Sequence, residues 1–201
     1  SNKTASKPCF AAKSIYFSKT VYSGNKRIIK LPFPEISKSD NRGRTRLISF
    51  ASNGKPSYYK EIAILAVPSD YISGHLDTGK IINITSFFNP VTETLDWQSP
   101  GGEWDILRYV CSNSGEQLML PSKNSVGPII DHFDSVATET HFNYIIDRIK
   151  TVIPDLKNSS LKSLYLASYE ATGSVWTPSL PSEFRKINGY DIYKYMPLLF
   201  D

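Results

Sequence analysis

The sequence predicts an α+β chain, with an antiparallel, β-rich, sandwich-like part over residues 1–120 and a piece of an α/β repeat over 121–201. Three observations predict it. Short runs rich in β-branched and aromatic residues recur up to about residue 120, each stopped by Gly, Pro or polar turn residues. Beyond that point the apolar period lengthens to that of a helix. A helical stripe, a short apolar strand, a loop and a second helix then follow in order, which is the grammar of an α/β repeat.

The elements read as follows. Ser14 to Tyr22 is a strand ending at the turn signal Ser23-Gly24-Asn25, and Arg27 to Leu31 is its return strand, stopped by Pro32 and Pro34. Ser37 to Arg46 is a polar, basic loop. Tyr58 to Val67 is a second β run, stopped by Pro68, and Lys80 to Thr85 is a third. Thr92 to Gly115 reads as a hairpin: Thr94 to Trp97 leads out, Ser99-Pro100-Gly101-Gly102 turns, and Trp104 to Cys111 returns. On the return, Trp104, Ile106, Arg108 and Val110 share one face, and Asp105, Leu107, Tyr109 and Cys111 the other. Several such strands with turns between them suggest a sandwich.

Asp134 or Ser135 can cap a helix whose stripe is Phe142, Ile145, Ile146, Ile149 and Ile153, with Pro154 at its end. Leu161 to Ala167 is a short apolar strand and Glu170 to Pro178 a loop. A helix from about Ser179 to Asn188 meets Gly189, a left-handed terminator. A last helical segment spans Asp191 to Phe200, with Pro197 awkward inside it.

Composition narrows the function classes. Hydrophobic residues make up 40% and charged residues 21%, which excludes global disorder. The net charge of +4 is spread along the chain, with one modest cluster at Lys38, Arg42, Arg44 and Arg46, so no nucleic-acid stripe is expected. No apolar run approaches the ~20 residues that cross a bilayer. Two distant cysteines, Cys9 and Cys111, make neither a disulfide framework nor a zinc site, and Cys111 reads as a buried thiol. No signal peptide and no initiator Met open the chain, which reads as a mature protein, a recombinant segment or a piece of something longer.

Chemistry concentrates after the short strand. Functional groups of α/β barrels lie at the carboxyl ends of strands, and Glu170 holds that position. A partly desolvated carboxyl beside Tyr169 could act as a general acid. Trp176, in the same loop, could wall a sugar site, and Asp131 could serve as a ligand or a structural cap. Glycoside hydrolysis uses two carboxyls, roughly 6.5–9.5 Å apart in inverting enzymes. Asp131, Asp134, Glu103 and Asp105 are the candidates for the second, and none is a convincing partner; Glu103 and Asp105 read as surface groups. His75, His132 and His141 lack metal-ligand spacing, and His141 reads as structural.

These residues carry a resemblance. Trp97-Gln98-Ser99-Pro100-Gly101-Gly102-Glu103-Trp104-Asp105-Ile106-Leu107-Arg108 resembles the Trp-x-x-Pro-x-Gly-x-Trp-x-x-x-Arg stretch of glycoside hydrolase family 106, the α-L-rhamnosidases. Leu166-Ala167-Ser168-Tyr169-Glu170 resembles that family's Asp-Ser-Tyr-Glu strand end. His141-Phe142, Trp176-Thr177-Pro178, Glu183-Phe184 and Gly189-Tyr190-Asp191 continue the match in order. Upstream, Ser18-Lys19-Thr20 and Tyr59-Lys60-Glu61-Ile62-Ala63-Ile64-Leu65-Ala66 fit the same family.

The resemblance implies a (β/α)8 barrel with β-sandwich modules, inversion by two glutamates, and a calcium ion holding the rhamnose hydroxyls. It makes Glu170 the general acid, with Tyr169, Trp176 and Asp131 expected near the substrate. The second glutamate is expected beyond Asp201 and the first barrel strands before Ser1. Rhamnose-containing plant glycans such as pectin are the implied substrates, and a secreted or periplasmic setting the implied location. Two positions depart from the pattern. Ala167 replaces the Asp before Ser-Tyr-Glu, and Ile129 replaces an acid in Gly127-Pro128-Ile129-Ile130-Asp131. If those acids hold calcium or Glu170, the chain is a divergent or degenerate member. The alternative reading is a non-catalytic carbohydrate-binding or interaction module.

Overall fold

The computed structural model describes residues 7–24, 26–40, 42–71, 75–118, 120–163 and 174–200. Its centre is a five-stranded antiparallel sheet. The strands are β1 (Lys13–Tyr22), β3 (Tyr59–Pro68), β4 (Ile82–Asn83), β7 (Trp104–Asn113) and β8 (Val175–Trp176), in the order β4-β3-β7-β1-β8. A three-stranded sheet holds β2 (Ile28–Lys30), β6 (Thr94–Asp96) and β5 (Phe88–Asn89), in the order β2-β6-β5. The antiparallel, β-rich expectation is met.

β7 organises the molecule. It pairs with β1 over an unbroken register from Lys13↔Asn113 to Tyr22↔Trp104, and with β3 on its other side, with one irregularity between Glu61 and Ala63. All ten of its residues are buried. A strand covered on both faces carries apolar groups on both, as parallel sheets usually do. On one face Trp104 and Ile106 pack with Tyr22, Ile64, Leu95 and Trp97, which seats the smaller sheet. On the other, Leu107, Tyr109 and Cys111 pack with Ile15, Leu65, Trp176 and Met196. Chain from both sides of residue 120 therefore shares one sheet and one core.

Strand pairing differs from the expectation at two places. β2 does not return along β1 but pairs with β6, Ile28 opposite Asp96. β6 and β7 do not form a hairpin, because they belong to different sheets and residues 97–103 make a corner between them. Trp97 and Trp104 meet edge to face across that corner with ring centres 5.7 Å apart, and Trp104 Nε1 donates to Gly101 O at 2.8 Å. Gly101 and Gly102, at φ 111° and 78°, supply the left-handed backbone the corner needs. The expected strand over Lys80 to Thr85 shrinks to the two residues of β4, flanked by 3-10 turns at Thr78–Lys80 and Thr85–Phe87. Asp105 is buried at 4% exposed, paired with Lys19 and accepting from Ser69 Oγ, so it is not the surface group expected.

Two helices follow. α1 (Ser135–Lys150) is capped by Asp134, whose side chain accepts from the Val136 and Ala137 amides. α2 (Leu180–Asn188) ends at Gly189, φ 77°, in the left-handed cap expected. The last segment forms a 3-10 helix, Tyr193–Leu199, which takes Pro197 inside it and buries Met196. Residues 161–163 are not strand, and the rest of the expected strand, 164–167, lies outside the described residues. No helix among the described residues is long and apolar enough to cross a membrane.

Candidate active site

Glu170 and Tyr169 lie outside the described residues. What the structure gives is the frame that receives the chain four residues later, at Ser174. Ile15 N donates to Ser174 O at 2.9 Å, and β8 then pairs with β1, Ser14 opposite Val175 and Lys13 opposite Trp176. A third segment joins them through Ala12 N to Ile129 O and Asp131 N to Phe10 O, at 2.9 and 2.8 Å.

A buried ion pair locks the three together. Lys13 and Asp131 are each 2% exposed. Lys13 Nζ donates to Asp131 Oδ2 at 2.7 Å and to Ala11 O at 3.1 Å, and sits 5.5 Å from the centre of the Tyr58 ring. Thr177 Oγ1 donates to the same Asp131 oxygen at 2.9 Å, while Asp131 Oδ1 accepts from Phe133 N at 3.0 Å. A charge this deep is tolerated only when paired and hydrogen-bonded, so removing any one member leaves the others poorly solvated. Asp131 is thus engaged in the frame by Lys13, Thr177 and the Phe133 amide. Trp176, expected to wall a sugar site, is 3% exposed in the described chain and packs in the core beneath the sheet.

A second charged network sits on the opposite face of the sheet. Arg108 is 1% exposed. Its Nη2 and Nε reach the two oxygens of Glu61 at 2.6 and 3.3 Å, and its Nη1 reaches Glu93 Oε1 and Leu31 O, both at 2.9 Å. The guanidinium lies over Phe33 and Phe88, 5.3 and 4.7 Å from the ring centres. Lys55 Nζ reaches Glu93 Oε1 at 2.8 Å. Burial pushes the Glu93 carboxyl up, but hydrogen bonds and charge from Lys55 and Arg108 outweigh it and hold it below the ordinary glutamate value. Glu61, Trp97, Trp104 and Arg108 all belong to the motifs that carry the family resemblance. In the structure their work is architectural.

The open surface near these motifs holds two adjoining hollows of about 210 and 730 Å³, which share Pro68, Asp70 and Lys80. The smaller adds Tyr71, His75 and Asp77; the larger adds Gly101, Glu103 and Trp104. Among the described residues no three His, Cys, Asp or Glu side chains are grouped to hold a metal ion. Calcium takes six to eight oxygen ligands, from carboxylates, carbonyls and water. Ile129, where the family pattern has an acid, is engaged through its backbone, accepting from Ala12 N and donating to Glu116 O. Cys111 is buried as expected, and burial pushes its thiol up to about 12. His141 Nδ1 is buried without a hydrogen-bond partner among the described residues, and burial lowers its imidazole.

Of the frame residues, Lys13 escapes sequence reasoning and Thr177 enters it only within the Trp176-Thr177-Pro178 match. A lysine at the edge of a strand reads as solvated, and only its place at an inward-facing position, two before Ile15, signals otherwise.

Comparison with known proteins fits this architecture. The sequence pattern of the Glyco_hydro_106 family, described as alpha-L-rhamnosidase, matches residues 42–201. The chain belongs to that family. A protein of Formosa agariphila (strain DSM 15362 / KCTC 12365 / LMG 23005 / KMM 3901 / M-2Alg 35-1) named "Putative beta-glucuronidase" is 27% identical over 222 residues, covering 96% of this chain and 18% of that protein. The solved structure of a rhamnosidase from Novosphingobium sp. PP1Y superposes with a TM-score of 0.65 at 14% identity, covering 96% of this chain and 33% of that one. The chain thus spans about a fifth to a third of the length of these two proteins.

Proposed function

We propose that this chain is an internal portion of a glycoside hydrolase that cleaves α-L-rhamnosides from plant-type polysaccharides such as pectin, with inversion at the anomeric carbon. The observation that carries it is the family match over residues 42–201, which takes in the Ser168-Tyr169-Glu170 stretch. Glu170 protonates the departing glycosidic oxygen while a second carboxylate, supplied from outside this chain, activates water on the opposite face of the sugar. Tyr169 lies beside it at the substrate. In this reading the antiparallel sheet supports a neighbouring piece of a (β/α)8 barrel. A calcium ion would hold the rhamnose hydroxyls in this reading. A secreted or periplasmic location goes with a polysaccharide substrate.

The test is Glu170→Gln in the whole protein. Loss of general acid catalysis is expected to cost about 10²–10⁴-fold in kcat on a rhamnoside with a poor leaving group. A variant within a few-fold of wild type removes Glu170 from the mechanism. The 201-residue chain alone is expected to turn over no substrate, since it supplies one carboxylate of the pair. Binding of rhamnose oligosaccharides in calorimetry by a whole protein without turnover would instead favour the non-catalytic module, the reading that the missing second carboxylate favours.

A further inference from the structure

The basic stretch read from the sequence as a loop folds back on itself. Ser39 bridges Thr45, Asp40 N donates to Arg44 O, and Arg46 N donates to Lys38 O, both at 2.9 Å. That register sets Lys38 opposite Arg46 and Asp40 opposite Arg44, and the two-residue period of extended chain turns all four side chains to one face. The face is held in place. Leu47 N donates to Gly115 O at 2.8 Å, Gln117 Nε2 to Thr45 O at 3.2 Å, and Arg46 Nη1 to the Tyr16 hydroxyl of β1 at 3.3 Å. Its charges do not cancel. Asp40 is already engaged, accepting from the Arg42 and Arg44 amides at 2.9 and 2.8 Å and from Arg44 Nε at 2.7 Å. Lys38 and Arg46 form no ion pair among the described residues. Like charges directly opposite one another cost stability. Arg46 adds a buried Nε that no acceptor meets among the described residues. Beside the cations, Phe50 is 37% exposed, with Lys38 Nζ 5.7 Å from its ring centre.

We propose that Lys38, Arg44 and Arg46, with Phe50, form a binding face for a carboxylate-bearing glycan, a uronate-rich stretch of polysaccharide. This rests on the pectin-type substrate proposed above and narrows it to the acidic part of such a polymer. Cations fixed in place at a cost to folding are preorganised for an anion. A polymer that repeats a carboxylate along its length meets several of them at once, so affinity accrues without any tight single contact. The exposed ring of Phe50 favours a ligand that also carries an apolar face, as a sugar ring does, over a bare inorganic anion.

Calorimetric titration of the whole protein tests this, with oligogalacturonate set against its methyl ester, the same chain without its charges. Neither contains rhamnose, so binding is read without turnover. The acid is expected to bind about 10-fold more tightly than the ester at low salt, and to lose that margin as salt is raised. Lys38→Gln and Arg46→Gln are each expected to weaken binding of the acid about 3- to 5-fold and to leave the ester as it was, while Lys38→Arg and Arg46→Lys stay close to wild type. Equal binding of acid and ester overturns the proposal, and so do glutamine variants that bind the acid as the wild type does. Arg46 also supports Tyr16, so urea midpoints are compared; if Arg46→Gln is unfolded, the exposed Lys38 decides the matter alone. A DNA oligomer of equal charge is titrated alongside. If it binds more tightly than the oligogalacturonate, the face is a nucleic-acid surface and the glycan assignment fails. Hydrolysis of an aryl α-L-rhamnoside is measured separately. Its absence removes the rhamnosidase reading and leaves acid-selective binding standing; hydrolysis without acid-selective binding removes only the glycan face.

Discussion

Arg108 carries a guanidinium into the interior, and its partners decide what that costs. Glu61 meets it with both oxygens, Glu93 and the Leu31 carbonyl take another nitrogen, and Phe33 and Phe88 cover it. Replacing Arg108 by Met removes the positive charge from Glu61 and leaves Glu93 with Lys55 alone. Truncating one partner of a buried pair costs about 3–5 kcal/mol, and the low end applies because Glu61 and Glu93 keep some contact with water. Urea unfolding of Arg108→Met is expected to show a loss of about 3 kcal/mol; an unchanged midpoint would contradict the network. The pH dependence has a definite sign. Glu93 is held below its ordinary value, so its contribution is complete above the unfolded glutamate pKa near ~4.3 and is lost as pH falls through the folded value. The wild type should therefore lose more stability than Arg108→Met on acidification through that range. At this scale the sequence marks Arg108, Trp97 and Trp104 by their motif. It does not mark Lys13, because a lone basic residue gives no hint of a carboxylate 118 positions away.

The elements were readable where periodicity decides and unreadable where partners decide. Alternation along 104–111 correctly assigns two faces to β7, since side chains in a strand point to opposite sides. Nothing in that alternation says which strand lies beside it, so β2 and β6 were assigned to neighbours in sequence although each pairs elsewhere. Caps are more local, and hence more legible. Asp134 and Gly189 sit where their side chain and their left-handed backbone are required. Asp134→Ala is expected to cost about 1 kcal/mol, read from thermal unfolding, because it frees the Val136 and Ala137 amides. No loss would mean that water replaces the cap fully. The stripe of α1 is only partly used: Ala137 is buried, Ile145, Ile146 and Ile149 are half-buried, and Phe142 stays exposed.

At the scale of the whole molecule, the described chain is a two-faced antiparallel sheet with a small second sheet and two helices. It belongs to the alpha-L-rhamnosidase family and spans a minor share of the relatives it resembles. The Ser168-Tyr169-Glu170 stretch is legible as a motif, but the second carboxylate that the proposed mechanism needs is not, because catalytic pairs are assembled in space from distant strands. The names of the two relatives point to different sugars, a rhamnoside and a glucuronide. The two differ in the configuration of the ring as well as in the C5 substituent, a methyl in rhamnose and a carboxylate in glucuronate, so one site is not expected to serve both well. The measurement that bears most directly on the account is hydrolysis by the whole protein of an aryl α-L-rhamnoside and an aryl β-D-glucuronide side by side, each repeated with Glu170→Gln. The account predicts turnover of the rhamnoside and its loss in the variant. Turnover of the glucuronide alone, or rhamnoside turnover indifferent to Glu170, would contradict it.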